Sequence, residues 1–345
     1  MRWTPGGVSG NIEDRRGSSG MGFGGGGIRL GLGGFILIAI LSLIFKTDFF
    51  SLLGGGGGGV ASVSQPGMTQ SRPLNDPKEQ REVQFVSFVL DDAQNTWKRV
   101  LPKYGAQYRD AKLVLFRDAV NSGCGVAQSA TGPFYCPADQ KVYIDLGFYD
   151  ELKQRFGADG DFAQAYVLAH EIGHHVQNLL GIDGKVRQMQ RARPELANQL
   201  SVRLELQADC LAGVWGHSTE QRNILEAGDV NKAINAASAI GDDRLQRMAG
   251  RGVNPDSFTH GSSADRVKWF EAGFNSGDVA ACNTFGQRDE KTHPSSAKPK
   301  RGEGRLQAKT AGVGNPAAQP TAFWRRRSLP TRHQSAWPVV LFRRR

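Results

Sequence analysis

The chain has 345 residues with a formal net charge of +10 at pH 7, 39% hydrophobic residues and four cysteines. Length and apolar content leave about two hundred residues for one domain with a sizeable core once low-complexity stretches are set aside. The charge does not argue for specific nucleic-acid binding, because residues 287–345 hold fourteen Lys and Arg against three Asp and Glu, a net +11 that leaves the rest at −1.

Residues 1–27 are Gly-rich and read as a short cytoplasmic N-terminus. Leu30 to Phe45 is uninterrupted and uncharged between Arg29 and Lys46, so residues 28–53 read as an uncleaved transmembrane anchor near the roughly 17-residue lower limit for a span. Arg2, Arg15, Arg16 and Arg29 precede it while only Lys46 follows closely. By the positive-inside rule the rest of the chain then faces the periplasm from the bacterial inner membrane. A cleaved signal peptide and a Gly-rich apolar tail of a cytosolic protein are the competing readings, although no small-residue cleavage pattern follows immediately. Residues 54–77, beginning with Gly54 to Gly59 and continuing rich in Ser, Gln and Pro, read as a flexible tether.

A helix is expected from about Glu79 to Leu101, with Val83, Val86, Val89, Leu90, Trp97 and Val100 on one packed face. Strands are expected at Lys112 to Arg117 and Lys141 to Leu146, the second as the sheet edge that would pair with an extended substrate. Cys124 with Cys136 would close a local loop, and Cys210 with Cys282 would tie a later helix to the end of the domain. Both disulfides need an oxidising compartment. Four reduced buried thiols are the alternative, and CxxC spacing for a structural zinc site is absent.

His170-Glu171-Ile172-Gly173-His174 lies on a segment whose Phe162, Ala165, Tyr166, Ala169, Ile172, Val176 and Leu179 recur at helical spacing, with Asp161 as N-cap and Gly181 as stop. One turn apart, the two imidazoles can reach one metal ion with a carboxylate beside them. Leu180 occupies the place where a third histidine would stand in the metzincin pattern. Glu205 and Asp209 are four apart on a second apolar-periodic segment, so they share a helical face. Glu205 can complete a two-histidine, one-glutamate zinc site, with Asp209 accepting a hydrogen bond from a ligand histidine. A solvated helix face is the plain reading of that pair taken alone.

Further motifs follow in order: Cys124-Gly125, Gly132 to Pro137, Val142 to Leu146, Gly160 to Tyr166, Glu205 to Cys210, Ala239 to Gln246 and Phe258 to Ser263, then Arg266, Trp269 and Phe270. From about Arg72 to about Phe285 they resemble the YpfJ-type neutral zinc metallopeptidases of bacterial envelopes. That resemblance implies an α+β fold of gluzincin type, mainly helical with a small β-sheet, over residues 78–286 behind one N-terminal transmembrane helix. It also implies His170, His174 and Glu205 as ligands of one Zn2+ and Glu171 as general base.

Zinc lowers the pKa of water toward about 7, and a peptide or protein substrate would then be hydrolysed without a covalent intermediate. His260 is the first choice to face the developing oxyanion, ahead of Tyr166 and Arg266; a loop histidine capping the helix that begins near Ser263 is its plain reading. The spacing of His260 and Arg266 resembles a His-Pro segment followed by arginine in membrane-bound prenyl-protein and heat-shock zinc proteases, with glycine here in place of the proline. His175 points about 100° away from His174 and reads as packing or as support. The rival to an active peptidase is a zinc-bearing envelope interaction protein, and the sequence leaves the oligomeric state open. Residues 287–345 read as a disordered basic tail, with a tether for anionic lipid or nucleic acid as its functional rival.

Overall fold

The computed structural model describes residues 1–17, 74–129 and 132–286. The expected anchor at 28–53 and the basic tail at 287–345 lie outside the described residues. Among the described residues, no helix is long and apolar enough to cross a membrane.

Four strands make the sheet in the order β1 (Ile12–Asp14), β2 (Lys112–Phe116), β6 (Lys141–Asp145) and β5 (Phe134–Cys136). β1 and β6 both run parallel to β2, and β5 returns antiparallel to β6. Leu113 to Phe116 are buried without alternation, as expected of a strand covered on both faces. Strands β3 (Ala119–Ser122) and β4 (Gly125–Gln128) form a separate hairpin. Helix α1 (Pro77–Val100) starts where Asp76 caps the Lys78 amide and Pro77 takes the first turn, and it buries Val83, Val86, Val89, Leu90 and Trp97.

The remaining helices are α2 (Gly147–Phe156), α3 (Asp161–Leu179), α4 (Ile182–Ala192), α5 (Ala197–Gln221), α6 (Asp229–Ala239), α7 (Asp242–Met248) and α8 (Ser263–Ser276). Glycines set how closely three of them approach. A Cβ on Gly173 of α3 would lie 3.0 Å from the Ala208 carbonyl oxygen on α5, and one on Gly273 of α8 would lie 1.9 Å from that of Cys210. Backbone therefore meets backbone at both crossings, which brings α5 between the other two and puts residues of all three within reach of one point. Disulfides Cys124–Cys136 and Cys210–Cys282 both form, the second joining α5 to the 3-10 turn Val279–Cys282.

Three expectations need correction. Lys141 to Asp145 is internal to the sheet, and the edge nearer α3 is β5, whose Tyr135 hydroxyl lies 3.0 Å from His175 Nδ1. Asp161 is the first residue of α3 rather than its cap, and its carboxylate accepts the Trp3 indole N–H at 2.8 Å. Residues 1–17 are not an appendage on the far side of a linker: they belong to the same compact unit as the helices and supply its first strand.

Candidate metal centre

His170 and His174 lie on the same face of α3 with ring centroids 4.8 Å apart and planes nearly perpendicular. Glu205 of α5 meets them, its two carboxylate oxygens lying 3.2 Å from His170 Nε2 and 3.5 Å from His174 Nε2. One ligand atom from each of the three residues falls within 4.8 Å of the others. The far nitrogen of each ring is engaged: His170 Nδ1 lies 2.8 Å from Asp209 Oδ1, and His174 Nδ1 lies 2.8 Å from Gln177 Oε1. Gln177 uses its amide nitrogen as donor to the Leu204 carbonyl and to Gln207, which turns its oxygen toward His174. Both imidazoles are thereby held as Nδ1–H tautomers, presenting the Nε2 lone pairs to the Glu205 side.

Asp209 is completely buried and accepts from four groups. Besides His170 these are the Tyr166 hydroxyl at 2.5 Å and Arg266 Nε and Nη2 at 2.9 Å each. Burial alone would raise the Asp209 pKa, but Arg266 and His170 outweigh it and hold the carboxyl below its ordinary value. Burial also works against a charged His170, yet Asp209 and Glu205 push its pKa up to about 10. Glu205 shows the reverse balance, with His174, His260 and His170 overcoming burial to keep it well below the usual carboxylate range. The field that favours cations on the imidazoles is one that also attracts a dication. Tyr166 and Arg266 are committed to Asp209 behind His170, so neither serves as the oxyanion group that the sequence allowed.

Glu171 is buried beside the histidines, and its side chain makes no hydrogen bond among the described residues. Burial raises its pKa, opposed by His170 and His174. His260 lies on the loop before α8, close enough to Glu205 for that carboxylate to raise its pKa against burial. The helix cap is Ser262, whose hydroxyl accepts the Asp265 amide, so His260 is free of that task. Asp242 holds the loop: its Oδ2 accepts the amides of Thr259 and His260 at 2.7 Å and of Gly261 at 3.0 Å, and its Oδ1 lies 3.6 Å from His260 Nδ1.

The structure gathers His170, Glu171, His174, Glu205 and Asp209, the residues singled out in the sequence, and His260 stands on a loop near Glu205. Sequence reasoning missed Gln177 and Asp242. Gln177 stands three residues after His174, a spacing that faces it on a helix, whereas Asp242 lies within the Ala239 to Gln246 motif but seventeen to nineteen residues before the three loop amides it binds, so its role left no local signal. His175 bonds Tyr135 and the Arg109 carbonyl, and His217 bonds the Phe274 carbonyl; both join elements together.

The profile of the family described as "Putative neutral zinc metallopeptidase" matches residues 1–285. Protein YpfJ of Escherichia coli (strain K12) is 52% identical over 293 residues, covering 83% of this chain and 99% of that protein. Protein Rv2575 of Mycobacterium tuberculosis (strain H37Rv) is 43% identical over 204 residues, covering 56% of this chain and 67% of that protein. No solved structure matches the chain. A shared profile from the N-terminal strand to the end of the α8 region, with the imidazoles and carboxylate gathered as a metal site requires, places this chain in the neutral zinc metallopeptidase family.

Proposed function

We propose that the chain hydrolyses peptide bonds, with one zinc ion held by His170, His174 and Glu205 and with Glu171 as general base. The observation that carries the reading is the convergence of those three donors, both rings fixed as Nδ1–H tautomers, beside a carboxylate that has no structural partner among the described residues. Two imidazoles and a carboxylate are the donor set of catalytic rather than structural zinc. When bound, zinc makes water acidic near neutral pH and polarises a carbonyl.

The chain's own residues supply the rest. Glu171 accepts the proton of the attacking water and passes it to the departing amine, a role helped by the pKa that burial raises. His260 donates to the developing oxyanion, with Asp242 fixing its loop. Asp209 orients His170, and Arg266 neutralises the charge that Asp209 keeps buried. The β5 edge offers an extended peptide or protein substrate a strand to pair with.

The two disulfides support work in an oxidising compartment, the periplasm. Attachment to the inner membrane through residues 28–53 rests on the apolar run in the sequence.

Metal analysis of the full chain, with cleavage of peptide libraries and unfolded proteins, tests the reading. One zinc per chain is expected, and Glu171→Gln should retain it while losing about 10²- to 10⁴-fold in cleavage rate. Stoichiometric zinc without Glu171-dependent cleavage of any substrate would instead support an envelope interaction protein.

A further inference from the structure

Residues 1–17 are docked on the domain as a strap that touches several of its elements. The Arg2 amide donates to the Ile224 carbonyl at 2.7 Å. Trp3 packs edge-on against Phe85, lies under the Arg81 guanidinium, and donates to Asp161 at the start of the zinc-motif helix α3. Ser9 donates to Asp91 of α1 at 2.6 Å. At β1, the Leu113 amide donates to Asn11 and the Arg15 amide to the Leu115 carbonyl, continuing the parallel ladder with β2. Glu13 pairs with Lys141 across the sheet, and Arg16, almost wholly buried, pairs with Asp14 and Glu79. The strap ends where the next described residue begins: a Cβ on Gly17 would lie 2.8 Å from Leu74 Cδ1.

That last contact bears on topology. Gly17 and Leu74, which flank a sequence that contains the apolar run from Leu30 to Phe45, lie side by side on one body. A single crossing would put those two residues on opposite faces of a hydrocarbon layer about 30 Å thick. Polar backbone does not return through that layer unless its hydrogen bonds are made internally. Two of the four arginines that would mark a cytoplasmic N-terminus are also engaged here, Arg15 with Glu13 and Arg16 with Asp14 and Glu79.

We propose that the strap at residues 1–17 and the metal centre occupy the same side of any membrane to which the apolar run from Leu30 to Phe45 would bind. The strap is then a structural part of the metallopeptidase domain, reaching its compartment together with α3 and α5. The proposal stands on the docking of residues 1–17 and does not depend on the hydrolytic reading.

Two measurements on the full chain test it. All four native cysteines are in disulfides, so Val8→Cys in the strap and Met189→Cys in α4, at sites 59% and 41% exposed, give unique thiols. Treated with a membrane-impermeant maleimide in intact cells, spheroplasts and lysates, both positions should become reactive in the same fraction. Labelling of Val8→Cys and Met189→Cys from opposite sides overturns the proposal. Hydrogen exchange of the unmodified full chain reads docking directly: peptides covering Ile12–Asp14 should be protected to the same order as those covering Lys141–Asp145. Exchange of the strap amides at the rate of an unstructured chain would equally overturn it.

Discussion

The charges around the metal donors and the charges across the sheet differ in how far water reaches them. Around α3, α5 and α8, charges are buried and bonded to one another, with Asp209 taking hydrogen bonds from His170, Tyr166 and Arg266 where water does not reach. Around β1, β2 and β6 the pairs Glu13–Lys141, Glu13–Arg15 and Asp14–Arg16 each keep at least one partly exposed member. A buried pair contributes little net stability over an apolar replacement but costs much when halved, whereas an exposed pair is worth little and answers to salt and pH. The metal side should therefore fail abruptly on substitution and the sheet pairs Glu13–Lys141, Glu13–Arg15 and Asp14–Arg16 gradually with solution conditions, whereas the strap's buried pairs Met1–Asp229 and Arg16–Glu79 belong with the metal side.

Asp209→Ala offers the strongest challenge to that contrast. It leaves Arg266 buried without its carboxylate and His170 without its acceptor, so a loss of about 3–5 kcal/mol is expected in denaturant unfolding. Zinc affinity by competition with a chelator should fall about 10- to 100-fold. A loss under about 1 kcal/mol would place Asp209 with the exposed pairs and erase the distinction.

The disulfides compare the two halves by chain entropy. Cys210–Cys282 closes 72 residues on the helical side and Cys124–Cys136 closes 12 on the sheet side, which correspond to about 4 and about 3 kcal/mol respectively. Replacing each pair by alanine and measuring thermal unfolding should preserve that order, and only the first should also weaken zinc, because Cys210 adjoins Asp209. Equal effects on zinc from both pairs would break the comparison.

Gln177→Ala sharpens it, since this neutral partner of His174 sits on the buried side without charge. Removing it should cost about 1 kcal/mol and roughly 10-fold in zinc affinity, less than Asp209→Ala in both assays.

Acid provides the smallest effect. Lys141 and Arg15 hold Glu13 below its ordinary pKa, and Arg16 does the same for Asp14. Stability from depressed carboxyls is present above their unfolded pKa values of about 4 and is lost as pH falls through the folded values. Protection of the strap amides, measured relative to their intrinsic exchange rates, should therefore fall below about pH 4, and Glu13→Gln should flatten that dependence while changing stability at pH 7 by less than about 1 kcal/mol. A pH-independent strap would show that its backbone ladder and Trp3 hold it without the charges.

Legibility in the sequence divides along the same line. The donors on α3 and α5 follow helical spacing, so His170, His174, Glu205 and Asp209 could be read from periodicity, and the cysteine pairings agree with the structure. The strap could not be read that way. β1 is three residues long and its partner β2 begins about a hundred residues later, so the pairing has no local turn or period to reveal it, and Gly-rich composition pointed to a tail. The edge assignment failed for a related reason: Val142 to Asp145 has the stronger strand pattern, but pairing on both sides places it inside the sheet. Asp242 was missed because its partners are backbone amides, which carry no sequence identity.

The order in which the chain is made gives the brace between α5 and α8 a meaning in time. All three metal donors are complete once residue 205 has been synthesised, yet His260, Arg266 and Cys282 are still to come. Until then Asp209 has no guanidinium, Cys210 lacks Cys282, and the His260 loop that faces Glu205 is absent. A nascent chain can thus carry all three donors past the ribosome while the groups that brace them are still missing, and the site reaches its final arrangement only when the domain is whole.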